Sequence, residues 1–344
     1  MNITSGLKIF FLFLWCIMSC LPPASQAADK VVVIPLFGHG KPLKNIVTVA
    51  KANGMFTDPV AAVNSITDAS ADNPYLVVIG PGVYTLTHTL VMKPWVDITG
   101  SGENVTRLVG AISGGSADVN SAIVSGVTDA VMTELTVENN GGGNYSIAIF
   151  NYGAFSGNVR LRQITAISSG GLSNYAVFNE NSSPTLEQVT IRASGGSISC
   201  GIYNDSSYPI LIRVNTIASG GTFNYGIHNK HSVPSMIQVI TKAYNGEQNF
   251  GIYNNSSGLA KVLLVTSEGS GGSKSYGMYN VNSSMMIGES IKQSIFFGAT
   301  YALVTDRELN ISQSTIRGGV SGAGVKRCVA CDDGNGNTLN NSCQ

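Results

Sequence analysis

Phe178, Tyr203, His228, Tyr253 and Tyr279 stand 25, 25, 25 and 26 residues apart, each preceded by a small residue and an apolar one and followed by asparagine. Rings in such a row could stack sugar rings, because an aromatic face offers flat apolar area with a polar rim. They could equally stack on one another and hold the repeats together. His228, alone among them, reads as a ring the row tolerates rather than as a catalyst. Arg192 and Lys242 are the basic residues available to an anionic glycan, and they share a column with Glu138 and Glu268. Lys242 and Glu268 fall on neighbouring repeats, where a surface ion pair worth little is the default. Thr136, Thr165, Thr190 and Thr266 form a second outward column beside them. Catalytic acids are sparse. Between residue 141 and the tail the aspartates are Asp205 and Asp306, too far apart to share one substrate carbonyl, so no catalytic residue is assigned. The dispersed carboxylates also argue against a calcium site, which needs several oxygen ligands around one ion. No metal or other cofactor is expected.

The elements that must position these residues follow from the repeat. Ala148-Ile149-Phe150-Asn151, Ala176-Val177-Phe178-Asn179, Gly201-Ile202-Tyr203-Asn204, Gly226-Ile227-His228-Asn229, Gly251-Ile252-Tyr253-Asn254 and Gly277-Met278-Tyr279-Asn280 begin 28, 25, 25, 25 and 26 residues apart. A period of this size specifies a solenoid whose units bury their apolar faces only by stacking. Residues 175–199 divide into three short strands rich in β-branched residues, separated by turns of Gly, Ser and Asn. Three strands in a turn of about 25 residues describe an all-β chain, a right-handed parallel β-helix with each coil about 4.8 Å above the last. Asn151, Asn179, Asn204, Asn229, Asn254 and Asn280 then form one column, able to take a left-handed turn conformation and to pass side-chain hydrogen bonds from coil to coil. With Asn inward, alternation places Tyr175 and Val177 inward and Phe178 outward. The Ile149, Val177, Ile202, Ile227, Ile252, Met278 column becomes core, and Phe150, Phe178, Tyr203, His228, Tyr253 and Tyr279 an exposed aromatic stripe.

With its asparagine column, the chain resembles the pectate-lyase-like right-handed β-helix superfamily. Val47-Thr48-Val49-Ala50, Phe56-Thr57-Asp58-Pro59-Val60-Ala61-Ala62-Val63, Ile79-Gly80-Pro81-Gly82-Val83-Tyr84 and Ile98-Thr99-Gly100-Ser101-Gly102 resemble, in order, the opening cap of pectin methylesterases. That resemblance covers roughly 65 of the 344 residues. It implies a short capping helix opened by Asp58 as N-cap and Pro59 at the first turn. The family's catalysis rests on two aspartates, an arginine and glutamines in a Gln-Asp-Thr-Leu-like stretch and a neighbouring strand, and neither stretch is present. Gly38-His39-Gly40 resembles a polygalacturonase motif but precedes the coils.

Composition agrees with a folded, turn-rich, weakly charged protein: 43% apolar, 12% charged, 40 glycines, with 20 basic and 20 acidic residues. A neutral balance does not point to nucleic acid. Lys8, the apolar run from Ile9 to Leu21 and Ser25-Gln26-Ala27 read as a signal peptide, residues 1–27, cleaved after Ala27. Ile17-Met18-Ser19-Cys20 is the alternative, a lipoprotein signal with Cys20 lipidated. No other run is long enough to span a bilayer. Residues 28–112 then form an N-terminal strand, a linker and the cap with the first coils, 113–320 the regular coils, and 321–344 a cysteine-bearing tail. Cys328 and Cys343 are expected to close a loop, leaving Cys331 free or in exchange, and Cys200 is expected to be a buried thiol. Cys328-Val329-Ala330-Cys331 could also be read as half a zinc site or a redox pair, without a second CxxC to complete it. The reading that results is an exported, non-catalytic scaffold, periplasmic, cell-surface or extracellular, presenting an elongated surface to a polysaccharide, cell-surface glycan or protein. A pectinesterase-like or lyase-like enzyme and a purely structural envelope protein are the alternatives.

Overall fold

A computed structural model describes residues 45–153, 159–258, 261–282, 290–306, 308–324 and 326–344. The expected leader, Cys20, the early strand and Gly38-His39-Gly40 lie outside the described residues. From Asn45 onward the chain winds as a right-handed parallel β-helix of about 25 residues per coil. Right-handed winding is the sense that right-twisted strands favour when parallel neighbours are joined.

One coil shows how the sequence does this. Ser173–Glu180 lies in a ten-stranded sheet, while Thr185–Glu187 and Thr190–Ser194 lie in a twenty-stranded sheet that bends around the other two sides. The corners fall where the backbone turns left-handed: Asn181 at φ 48°, Gln188 at φ 55°, and Gly195 and Gly196 at φ 81° and 72°. Register is kept between coils, with Val177 beside Ile149 and Ile202, and Asn179 beside Asn151 and Asn204. The Ile149, Val177, Ile202, Ile227, Ile252, Met278 column is fully buried, facing Leu186, Leu211, Met236 and Val262 in the same core. Each such side chain contributes roughly 1.5–3 kcal/mol by leaving water.

The asparagines form a directional ladder inside this core. Nδ2 of Asn151 donates to Oδ1 of Asn179, Asn179 to Asn204, Asn204 to Asn229 and Asn229 to Asn254, each at 2.7 Å, and Asn254 donates to Asn280 at 2.5 Å. These residues are extended, not left-handed as the sequence suggested. The left-handed position comes two residues later, at Asn181, Ser206, His231, Ser256 and Asn282. Extended backbone is what turns the amide inward and onto the next coil. A serine ladder runs beside it: Ser182, Ser207 and Ser232 donate their backbone N–H to the hydroxyls of Ser207, Ser232 and Ser257 at 3.0–3.2 Å.

Both ends are tied down. Helix α1, Pro59–Ser65, has Asp58 as its N-cap, whose carboxylate accepts from Val60 N–H at 2.9 Å. Ala62, Val63 and Ile66 enter the core, and Lys93 Nζ donates to the carbonyls of Asn64 and Ile66 at the helix's far end. At the other end Cys328 and Cys343 form a disulfide with Cα atoms 5.2 Å apart, and Cys331 is a buried free thiol in the same apolar cluster.

Asn204→Ala would strand the Asn179 amide N–H and the Asn229 carbonyl inside the coil, where leaving polar groups unpaired is expensive. Urea unfolding should show a loss of about 2–4 kcal/mol. A midpoint equal to wild type would mean the ladder contributes nothing.

Candidate binding surface on the ten-stranded sheet

The outer face of the ten-stranded sheet carries two columns of rings. Phe150, Phe178, Tyr203, His228, Tyr253 and Tyr279 are successive register partners and make the first. Ile147, Tyr175, Cys200, Tyr225, Phe250 and Tyr276 make the second, on the same outer side. Simple alternation put Tyr175 inside, and the structure corrects this: its ring meets Phe178 at 5.1 Å and Tyr203 at 5.4 Å, centroid to centroid. The cause is a bend at the small residue between the columns, where the ladder register skips Ala176, Gly201, Gly226, Gly251 and Gly277. There the carbonyls of Gly251 and Gly277 turn inward and accept hydrogen bonds from the hydroxyls of Thr241 and Ser267, at 2.8 and 2.6 Å. A side chain on Gly251 would collide with Ser267 and the Gly277 carbonyl. The recurrence of Ala or Gly at this one position was the available sign of the bend.

The stripe is also less exposed than alternation implied. Phe150, Tyr175 and Phe178 are 4%, 8% and 7% exposed, in a buried cluster against which Ala117 and Val119 pack as a roof, and Phe250 further along is 5% exposed between its neighbouring rings. Tyr203, Tyr225, His228, Tyr253, Tyr276 and Tyr279 beyond the roof are half-buried. Their faces are largely given to one another. Tyr225, Phe250 and Tyr276 stack at 5.2 Å with planes 9° and 17° apart, Tyr253 and Tyr279 at 5.7 Å and 6°, and His228 meets Tyr203 and Tyr253 edge-on at 4.8 Å. The array therefore presents ring edges and phenol groups as its outer surface, and the ring contacts themselves bind coil to coil.

Electrostatics follow burial. Desolvation lowers the His228 imidazole to about 4, helped by Lys230 and opposed by Asp205, and its Nε2 is enclosed without a hydrogen-bond partner. Burial likewise raises the phenols of Tyr203 and Tyr225 and the Cys200 thiol, which makes Cys200 an inert group within the ring cluster. Along the ladder-side flank stand Glu180, Asp205 and Lys230, each two residues beyond a ring of the first column. Lys230 pairs with Asp205 at 2.8 Å, and His231 Nδ1 lies 3.8 Å from the same carboxylate. The Glu180 carboxyl is raised by partial burial and by the carboxylates of Asp205 and Asp118, against the opposing effect of Lys230.

The structure does not bring every sequence candidate to this face. Arg192 and Lys242 project from Thr190–Ser194 and Ile240–Tyr244 of the twenty-stranded sheet, and Lys242 pairs with Glu268 at 3.2 Å. Thr136, expected outside, is buried because its hydroxyl donates to the Glu103 carbonyl, while Thr165 donates to the Glu103 carboxylate at 2.7 Å. Asp306 accepts from the Asn282 N–H at 2.6 Å, coils away from Asp205. Among the described residues no three His, Cys, Asp or Glu side chains gather as metal ligands.

Fold and ladder together define a right-handed parallel β-helix with an inward asparagine ladder. No protein-family model matches the chain, and no curated protein does. Among solved structures it is similar to the pectin methylesterase PemA from Erwinia chrysanthemi, with 12% identity, TM-score 0.41, and 75% of this chain and 81% of that one covered. The A-module of the mannuronan C-5 epimerase AlgE4 from Azotobacter vinelandii gives 16%, 0.42, 80% and 91%. Geobacillus virus E2 ORF18 gives 11%, 0.45, 83% and 59%.

The half-buried imidazole, its Nε2 enclosed, sets a pH dependence. Its folded value lies below the ordinary 6.5, so the unfolded chain gains the proton first as pH falls. His228 should thus remove stability progressively between 6.5 and about 4, by about 3 kcal/mol in full, and nothing more below. His228→Phe, a ring the column already accepts, should flatten that part of the profile. Identical pH profiles for the two proteins would rule out an enclosed neutral imidazole.

Proposed function

We propose that this protein is an exported, non-catalytic β-helix that holds a glycan along the outer face of its ten-stranded sheet. The observation that carries the reading is the half-exposed run of Tyr203, Tyr225, Tyr253, Tyr276 and Tyr279, continuous over four coils beyond the roof. Phenol edges on a rigid lattice repeating at about 4.8 Å offer apolar contact and hydroxyls to a chain laid along the axis. Rigidity is in the reading's favour, since rings already locked by their neighbours lose little freedom on binding. The scattered engagement of the acids supports binding over turnover: Asp205 is held by Lys230, and Asp306 by a backbone N–H. No helix among the described residues is long and apolar enough to cross a membrane.

A glycan-array screen of the mature chain beside the Tyr203→Ala/Tyr253→Ala double variant tests this. Binding by the wild type should fall at least tenfold in the variant while its circular dichroism stays that of a β-protein. Sugar or methanol released from methylated or unmethylated polygalacturonate would instead overturn the non-catalytic part of the reading.

A further inference from the structure

The charged groups around the aromatic face are unevenly placed. Asp118 sits between Ala117 and Val119, which pack on the buried ring cluster that includes Phe178, and its carboxylate is close enough to that of Glu180, two residues beyond Phe178, to act on it. Asp205 follows on the next coil as the register partner of Glu180, and Lys230 on the one after. Lys230 answers Asp205, and His231 approaches that same carboxylate. Among the described residues Asp118 accepts from the Ser116 hydroxyl and the Asn120 N–H, at 2.8 Å each. Among the described residues neither Asp118 nor Glu180 is ion-paired, so negative charge is in excess where the open face meets the roof. The opposite flank carries the register column Ser173, Ile198, Phe223, Gln248 and Lys274, with one exposed acid, Glu247, beside Gln248. Of the basic residues, Arg192 and Lys242 belong to the other sheet, which leaves on this one Lys230, already paired with Asp205, and Lys274 at the far end of the opposite flank.

We infer that the glycan taken by this face carries cationic amino groups, with amino sugars seated at the roofed end against Glu180 and Asp118 and the rest of the chain lying over the tyrosines. The inference rests on the glycan-binding reading above and narrows it. Charge complementarity of this kind selects among partners more than it adds raw affinity. A polyuronate would bring its own carboxylates against Glu180, Asp118 and Asp205. Glu180 is raised first by partial burial and then by the carboxylates of Asp205 and Asp118, and a nearby ammonium would relieve the repulsive part.

Isothermal titration of the mature chain with three probes separates the outcomes: chitosan oligomers, their fully N-acetylated counterparts and oligogalacturonate. Chitosan should bind most tightly, and Glu180→Gln should weaken it roughly threefold, the scale of an exposed charge pair, while leaving the acetylated oligomer unchanged. Rising salt should erode the chitosan preference. Equal binding of acetylated and deacetylated oligomers, or tighter binding of oligogalacturonate, overturns the inference and leaves the glycan reading intact provided Tyr253→Ala still weakens binding. No binding by any probe, or binding indifferent to Tyr253→Ala, overturns both.

Discussion

Everything in this protein depends on one coil landing in register on the next. A coil of about 25 residues has too little apolar surface to pack against itself, and it becomes stable only when its Val or Ile of the core column meets the one above. Apolar contact alone would tolerate sliding. The inward amides do not, because each donor must find the acceptor of the following coil at 2.7 Å or be left unpaired in a dry interior. The asparagine ladder thus fixes register while the aliphatic column beside it supplies the burial, and the two lie only two residues apart on the same strand.

The outer face is a consequence of that inner one. Once Asn179 and Val177 are committed inward, Phe178 must face out, and the bend at Ala176 brings Tyr175 out beside it. One or two rings per coil then pack into a slab whose faces are mostly satisfied by other rings. Such a surface is stiff, apolar at its edges, and polar at its phenols. It differs from a set of isolated platforms, each free to swing onto a sugar, and its ability to hold a ligand comes from repetition.

Much of this was legible in the residues. The period, the three strands per coil, the core column, the Asp58-Pro59 helix start and the Cys328–Cys343 pair are local or strictly repeating patterns, and such patterns map directly onto structure. The phase of Tyr175 was not, because period-two alternation assumes a strand without a bend, and only the constant Ala or Gly hinted otherwise. Nor was the roof: Ala117 and Val119, from outside the repeated segment, pack on the cluster of Phe150, Tyr175 and Phe178, an arrangement no repeat pattern encodes. For the same reason the neighbourhood of Asp118 and Glu180 has no signature in the sequence, where they are simply two acids far apart. The cover on Thr136 is of this kind too, since Glu103 arrives from another coil.

The ladder's single direction has a further consequence for how such a chain can change. Every amide donates toward the C-terminal end, so the row begins with one unanswered acceptor, Asn151 Oδ1, and finishes with one unanswered donor, Asn280 Nδ2. Duplicating or deleting one whole unit would alter neither terminus of the row, only the number of rungs between them. The penalty of the ends is constant while the gain grows with each rung, so length can drift in whole coils during evolution with little effect on foldability. Insertions within the ladder strand itself would break the row, whereas the turns already absorb one to three extra residues, as the 26- and 28-residue spacings show, so the number of coils, and with it the reach of the aromatic face, varies only in steps.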